Sequence, residues 1–411
     1  MKFRSRFNKF FPIVLCLILG TTASFAQKPA GGAPRQEKLL NGLKVLMWSD
    51  PAASDVKVSI RVHSGAAFDP QGKEGVMKLL AENIFPTAAS RSYFADDLGG
   101  GVEVVTNYDY IQINATAKPD EFVTLVQTLA QAVSNPTIDR ETLAALKKAL
   151  SEKLTSLEKD PAYIADQAGA KRLFGTFPYG RPPMGSVETL THIDFADLQF
   201  ARERFLCADN ATVTISGNFN SDLGFRAARR YFGAWLKSDK RVPFTFRQPD
   251  DPDTKPLEIN VDGMTNAEVR HARRGLARND KDFFAAQVLS KIIQSRLKAL
   301  TSLENVTVSH EPRVLPGALV LNYRSAANER GLGFEWVGRI EDLEFNKART
   351  EVAASINVAA LADRWLDVDT YHLTSVSEDM KSFDQIKISD VQNVADRLSR
   401  NPQVTVLVKG R

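Results

Sequence analysis

Strand and helix signals come twice along this chain in one order, and that repetition limits its fold more than any other feature. In the first half, a strand signal at residues 37–48 contains a tight turn at Asn41-Gly42, and residues 55–62 (DVKVSIRV) alternate strictly, as a half-buried strand does. A helix is expected at 75–85 (GVMKLLAENIF), and a short one at 92–98 ends at Gly99-Gly100-Gly101. Strands are expected at 102–106 and 108–117, then two long amphipathic helices at 118–133 and 139–157, broken at Asn135-Pro136. A helix at 194–205 and a strand at 210–217 follow. The second half starts again with strands at 257–261 and around 267–276, then a long helical pattern at 280–300. Strand signals at 306–308 and 318–323, helices at 342–364 and 390–398 and a terminal strand at 403–408 complete it. Residues 239–256 are rich in proline, lack helical period and form the expected linker. The chain thus divides into domains at 37–238 and 257–411, a weak repeat of about two hundred residues without clear identity between its halves.

The N-terminus reads as a signal peptide. Lys2, Arg4, Arg6 and Lys9 precede an apolar run at 10–19, too short to span a bilayer comfortably, and Ser24 and Ala26 supply small residues before a cut at Gln27. The expected product of that cut, after residues 1–26, is an exported protein, periplasmic or extracellular, with no stable membrane anchor. It begins with a flexible lead-in at 27–36. Residues 1–26 carry four basic and no acidic side chains, so the formal charge falls from +4 to zero on their removal (+4 − 4). The apparent basicity belongs to the targeting segment and gives no argument for nucleic-acid binding. One cysteine, Cys207, remains after the cut, so no internal disulfide is expected; the thiol reads as buried and inert. The triple glycine is not followed by Lys-Ser/Thr, which excludes a phosphate loop.

Three segments carry a family resemblance. Residues 75–85 match the pattern G-L-A-H-F-L-E-H-M-L-F at Gly75, Val76, Leu80, Ile84 and Phe85, and residues 177–185 (FPYGRPPMG) match P-Y-G-R-P-x-x-G. Residues 210–217 (NATVTISG) resemble N-A-T-L-V-V-x-G. These are patterns of the insulinase/pitrilysin (inverzincin) metallopeptidases, whose helix binds zinc through two histidines at i and i+4 with a glutamate between them as general base. The resemblance implies an α+β fold of two homologous domains, each a mostly antiparallel sheet covered by helices. It also implies a peptide chamber, zinc as the family cofactor, and substrate added as a strand at a sheet edge.

The catalytic positions of that pattern are not kept. The first histidine falls at Lys78, the glutamate at Ala81 and the second histidine at Glu82. An ammonium has no lone pair for a metal, and alanine moves no proton. Counting back from Asp160-Pro161 places the third ligand at Lys153, or at Glu152 with a one-residue slip. Of the edge-strand signature N-A-x-T only Thr106 remains; in the second half Ser295-Arg296-Leu297 is kept behind a turn shortened to Ile292-Ile293-Gln294. Thr106 and Arg296 are therefore the candidate substrate-binding residues. The substrate-gripping Arg and Tyr of many second domains fall near Thr301 and at 306–308, where neither is present. His63, His192, His271, His310 and His372 are scattered without ligand spacing, so no metal or other cofactor is assigned. Lys78 and Glu82 stand i,i+4 and can pair. With Lys153 at the third-ligand position, two ammonium groups would flank one carboxylate; the alternative is ordinary solvated charge. Three functions follow from the resemblance and its losses. The first is a non-catalytic partner subunit of a zinc-bearing paralogous peptidase, contributing to the peptide chamber. The others are a free-standing peptide-binding or scaffolding module and a peptidase with an unrecognised metal site.

Overall fold

The structure is a computed structural model that describes residues 32–238, 246–247, 249–300, 303–326, 338–358 and 361–411. The signal segment 1–26, residues 27–31 of the lead-in, part of the linker and Thr301 lie outside the described residues.

The first half opens with a hairpin, β1 (Arg35–Lys38) and β2 (Lys44–Ser49), followed by β3 (Val56–Val62). Gly42 turns that hairpin at φ +90°, where a Cβ would press on Asp209 at 2.9 Å. Helices α1 (Val76–Glu82) and α2 (Ala88–Asp96) lead to β4 (Gly101–Thr106) and β5 (Ile111–Ala117). Five helices come next: α3 (Phe122–Ser134), α4 (Arg140–Leu157), α5 (Pro161–Phe174), α6 (Val187–His192) and α7 (Phe195–Phe205). Strand β6 (Ala211–Gly217) and helix α8 (Ser221–Phe232) end the half. The second half runs β7 (Leu257–Asn260), β8 (Asn266–Arg274), α9 (Phe283–Lys298), β9 (Glu304–His310) and β10 (Ala318–Ala326). It continues with α10 (Asp342–Val358), α11 (Leu361–Thr370), α12 (Val376–Asp384), α13 (Ile388–Ser399) and β11 (Gln403–Lys409).

The repeat is legible in the sheets. One has the order β1-β2-β6-β3-β5-β4 and the other β7-β11-β8-β10-β9. In both, the late strand inserts beside the early one in parallel, β6 with β2 and β11 with β7, while the remaining pairs are antiparallel. Apart from β1 the two orders are the same, which bears out the expected α+β fold of two mostly antiparallel sheets with helices. The sequence reading left 161–174, 187–192, 221–232 and 376–384 without helices. All four are helical, and Asp160, Ser186, Asn220 and Ser375 cap their N-termini. Such caps are a local signal that the loop composition around them had masked.

The strict alternation at 55–62 predicts a strand with one wet face, and here the structure differs. Val56, Val58, Ile60 and Val62 do enter the first core, but Ser59 and Arg61 on the other face are also buried, at 1% and 3% exposure. The reason is an exchange of helices. Helix α11, from the second half, lies against β6 of the first sheet, and α5, from the first half, lies against β8 and β11 of the second. Each lent helix places an aspartate against an arginine of the middle strand. Arg61 reaches Asp367 at 2.6 Å, and Arg270 reaches Asp166 at 2.5 Å. The apolar part of the second contact is Ala165 with Val406 and Val408. Pro34–Arg411 accordingly forms one compact unit.

Candidate functional site

Helix α1 is held at its N-terminus by a buried carboxylate. Asp69 accepts from the amides of Gly75 and Met77, each at 2.8 Å, and so satisfies two donors that the helix leaves unpaired. Burial pushes its carboxyl up to about 7 against the pull of those amides and of Arg181. The loop at 177–185 sits directly on this helix start. Gly75 has φ +107°, and a Cβ there would meet Leu190 at 2.9 Å and the Met184 carbonyl at 3.0 Å. A Cβ on Gly185 would stand 2.2 Å from the Glu74 carbonyl. Arg181 donates to the carbonyls of Asp69 (2.7 Å) and Ala67 (3.2 Å). Tyr179 donates to Asp109 at 2.8 Å and accepts from the Leu315 amide of the second half at 3.1 Å. The family-like loop therefore positions α1 and ties the two halves together.

On α1 itself, Lys78 Nζ stands 2.5 Å from Glu82 Oε1, and Arg91 of α2 binds Glu82 Oε2. Arg91 also donates to the Phe85 carbonyl at 3.0 Å, which fixes α2 against the end of α1. Burial alone pushes the Glu82 carboxyl up, but the two cations outweigh it and hold the carboxyl below its ordinary value. Ala81 is fully buried in the first core. The second cation on Glu82 is thus Arg91, where the sequence reading offered Lys153. Glu152 and Lys153 are both exposed, and among the described contacts neither reaches Glu82. No spacing rule pointed to Arg91, because it lies on a different helix nine residues on. The signal available was the short connection at 83–87 ending in Thr87, whose capping box starts α2.

The arrangement does not fit zinc. The one oxygen-bearing side chain at the two former histidine positions has both oxygens taken by cations, and the other position holds one of those cations. Among the described residues no group of three or more His, Cys, Asp or Glu could hold a metal ion. The histidines have other work. His63 lies between Thr370 and Thr212, at 3.0 Å from each, and His271 between Thr405 (2.9 Å) and Tyr323 (3.2 Å). His310 accepts from the Leu276 amide at 2.9 Å, and His192 meets the Gly72 carbonyl at 3.2 Å. Burial pushes the Cys207 thiol up to about 11, in keeping with an inert buried thiol.

The remaining candidates separate. Thr106 ends β4, the edge strand against which α1 packs, and its hydroxyl is buried with no hydrogen-bond partner among the described residues. Arg296 is committed elsewhere: it binds Glu344 of α10 with two bonds, at 2.8 and 2.7 Å, and donates to the Arg339 carbonyl. It fastens α9 to α10, and the structure does not bring it together with Thr106. Residues 292–294 are not a shortened turn but the interior of α9. A cavity of about 600 Å³ lies between α5 and the loop after it, lined by Glu74, Tyr163, Lys171 and Arg181, but Lys78, Glu82 and Arg91 do not line it. No helix among the described residues is long and apolar enough to cross a membrane.

Comparison with known proteins agrees with this geometry. The family model described as insulinase (peptidase family M16) matches residues 44–185, and that of the peptidase M16 inactive domain matches residues 192–311. An uncharacterized zinc protease of Bacillus subtilis is 21% identical over 205 residues, covering 49% of this chain and 50% of that protein. One from Mycobacterium tuberculosis is 24% identical over 221 residues, covering 53% and 50%. The chain thus spans about half the length of the zinc-protease relatives it matches. Among solved structures, a protease from Helicobacter pylori superimposes with TM-score 0.82 at 17% identity, over 92% of this chain and 100% of that one. A peptidase M16 inactive domain from Pseudomonas fluorescens gives 0.79 at 17% identity, over 92% and 98%. A chain of Complex III2 from Candida albicans gives 0.73 at 18% identity, over 91% and 95%.

Proposed function

Because the chain belongs to the insulinase family, peptidase family M16, we propose that it is an exported, non-catalytic member working as the partner subunit of a zinc-bearing paralogous peptidase. In this reading it contributes part of a peptide chamber and takes an extended peptide along the outer edge of β4. The observation that carries the proposal is the closed ion triad Lys78–Glu82–Arg91 at the family's metal position, on a helix whose frame and capping are intact. Proton abstraction and Lewis-acid chemistry have no group to perform them there, while the edge strand beside the helix is retained. Peptide backbone would pair with β4 by main-chain hydrogen bonds, which needs neither metal nor base. The kinship of its fold to a chain of a large assembly and to an inactive M16 domain supports a role in a complex. Export is supported by the basic and apolar pattern of residues 1–26.

The test is reconstitution. The mature chain is assayed for zinc and for cleavage of an unstructured peptide, then mixed with a co-exported zinc paralogue. We expect no stoichiometric zinc, no cleavage alone, and at least about tenfold stimulation of the paralogue that survives Lys78→Ala. About one zinc per chain with chelator-sensitive cleavage would establish instead a peptidase with another metal site. Absence of both stimulation and co-elution at micromolar concentration would leave a free-standing peptide-binding module.

A further inference from the structure

The repeat sets a helix beside an edge strand twice. Helix α1 packs against β4, and α9 packs against β9. Both strands are the last of their sheets, so each has one side without a neighbouring strand. Such an edge presents outward N–H and C=O groups on alternate residues, a template for an added strand. On β9 this row is occupied. The Val308 amide donates to Gln294 Oε1 at 3.0 Å, and the Gln287 side-chain amide donates to the His310 carbonyl. Because the Val308 amide is spent on α9, it faces away from β10, and His310, two residues on, faces the same way. Gln287 and Gln294 stand seven residues apart, about two helical turns, so one face of α9 supplies both plugs. On β4, among the described residues, no side chain bonds to the backbone of Gly101–Thr106, and the outer edge is open.

We propose that Gln287 and Gln294 close the β9 edge against strand addition, so that the chain takes one extended peptide, at β4, although its repeat builds two edges. The one-peptide stoichiometry rests on the reading of β4 as the peptide edge; the closure of β9 does not. A strand arriving at β9 has to break both glutamine bonds before it forms its own, a penalty of roughly five- to tenfold in affinity for each. It also has to displace the side chains themselves from the space it would occupy.

The experiment uses a Lys-flanked Thr-Val repeat peptide about as long as β9, with stoichiometry from titration calorimetry and location from amide hydrogen exchange. The wild-type chain is expected to bind about one peptide, with new protection in residues 101–106. The Gln287→Ala/Gln294→Ala variant is expected to bind about two, with new protection in 304–310. Gln294→Glu keeps the acceptor for the Val308 amide and should stay near one. If the double variant does not fold, Gln294→Ala alone carries the same test, with faster exchange at Val308 as its own readout. Two peptides on the wild type, or no new protection of 304–310 in a folded alanine variant, overturns the closure. Protection of 304–310 in that variant without any binding at 101–106 in the wild type upholds the closure and sinks the β4 reading instead.

Discussion

Glu82→Gln should be the most costly single change in the Lys78–Glu82–Arg91 triad, and the geometry sets how costly. The side chains of Lys78, Glu82 and Arg91 are 16%, 26% and 37% exposed, so the triad is neither dry nor freely solvated. Two unit charges 4 Å apart attract by about 4 kcal/mol at an effective dielectric near 20, and desolvation returns much of that. Removing the negative charge leaves an ammonium and a guanidinium on either side of a neutral amide, with no anion between them. We expect a loss of about 2 kcal/mol, between the ~0–1 of exposed pairs and the 3–5 of buried ones. Lys78→Met leaves the Glu82–Arg91 pair in place and should cost less than about 1 kcal/mol. Lys78→Met/Glu82→Leu removes the inner pair together, and Arg91, the most exposed of the three, can turn to water. That double variant should lie within about 1 kcal/mol of wild type. Urea melts at neutral pH, compared by midpoint at unchanged slope, measure all three. A Glu82→Gln loss below about 0.5 kcal/mol, or a Lys78→Met loss equal to it, would mean that these are ordinary solvated charges.

Acid should destabilise the chain through its buried histidines, partly offset by Asp69, whose raised carboxyl takes up a proton in the fold as pH falls below about 7. His63, His271 and His310 are held near 4, chiefly by burial, against an ordinary 6.5. Their folded values lie below the unfolded one, so the stability they contribute is complete above 6.5 and is lost as pH falls toward 4. Each should cost about 1 kcal/mol between pH 7.5 and 5.5, and His271→Gln should remove about that much of the pH dependence; a wild-type chain and a His271→Gln chain whose melts change equally over that range refute the assignment. Tyr179→Phe removes one bond to Asp109 and one from the Leu315 amide. It should cost about 1–3 kcal/mol and speed amide exchange at Leu315, with unchanged exchange there as the contrary result.

The repeat and most of its elements were legible in the sequence because they rest on local signals. Alternation gives β3 and β8, helices are expected at 194–205 and 390–398 where α7 and α13 lie, and the Asn41-Gly42 turn gives the first hairpin. What failed was whatever depended on the partner half. Arg61 looks like a solvent residue in DVKVSIRV, since nothing nearby in sequence says that Asp363 and Asp367, more than three hundred residues away, will cover it. Helix α5 was missed for the same reason. Its apolar residues Ala165, Ala168 and Ile164 face a sheet that the chain has not yet made at that point. The site divides the same way. The pairing of Lys78 with Glu82 follows from their i,i+4 spacing, whereas Arg91 takes the place expected for Lys153 because the α1–α2 connection, not a sequence interval, chooses it. Arg296 looked free to bind peptide until α10 brought Glu344 to it.

The same division separates the charge on α1 from what holds the shape of the chain. The triad sits on the helix side of the first sheet, where α1 packs with Val58 and Ile60. The contacts that join the halves lie elsewhere: Arg61 and His63 against α11, Arg270 against α5, and Tyr179 with Asp109 against the 314–315 backbone. None of these uses Lys78, Ala81 or Glu82. A substitution at the metal position therefore changes charge inside one pocket and leaves the exchange of α5 and α11 untouched. Had this part of α1 also served the joint between halves, a substitution there would loosen the fold as well. Because it did not, an i,i+4 ion pair with one added guanidinium suffices to hold α1 and α2 in place. The edge strand β4 beside them then keeps its place against α1, where the proposed peptide would lie.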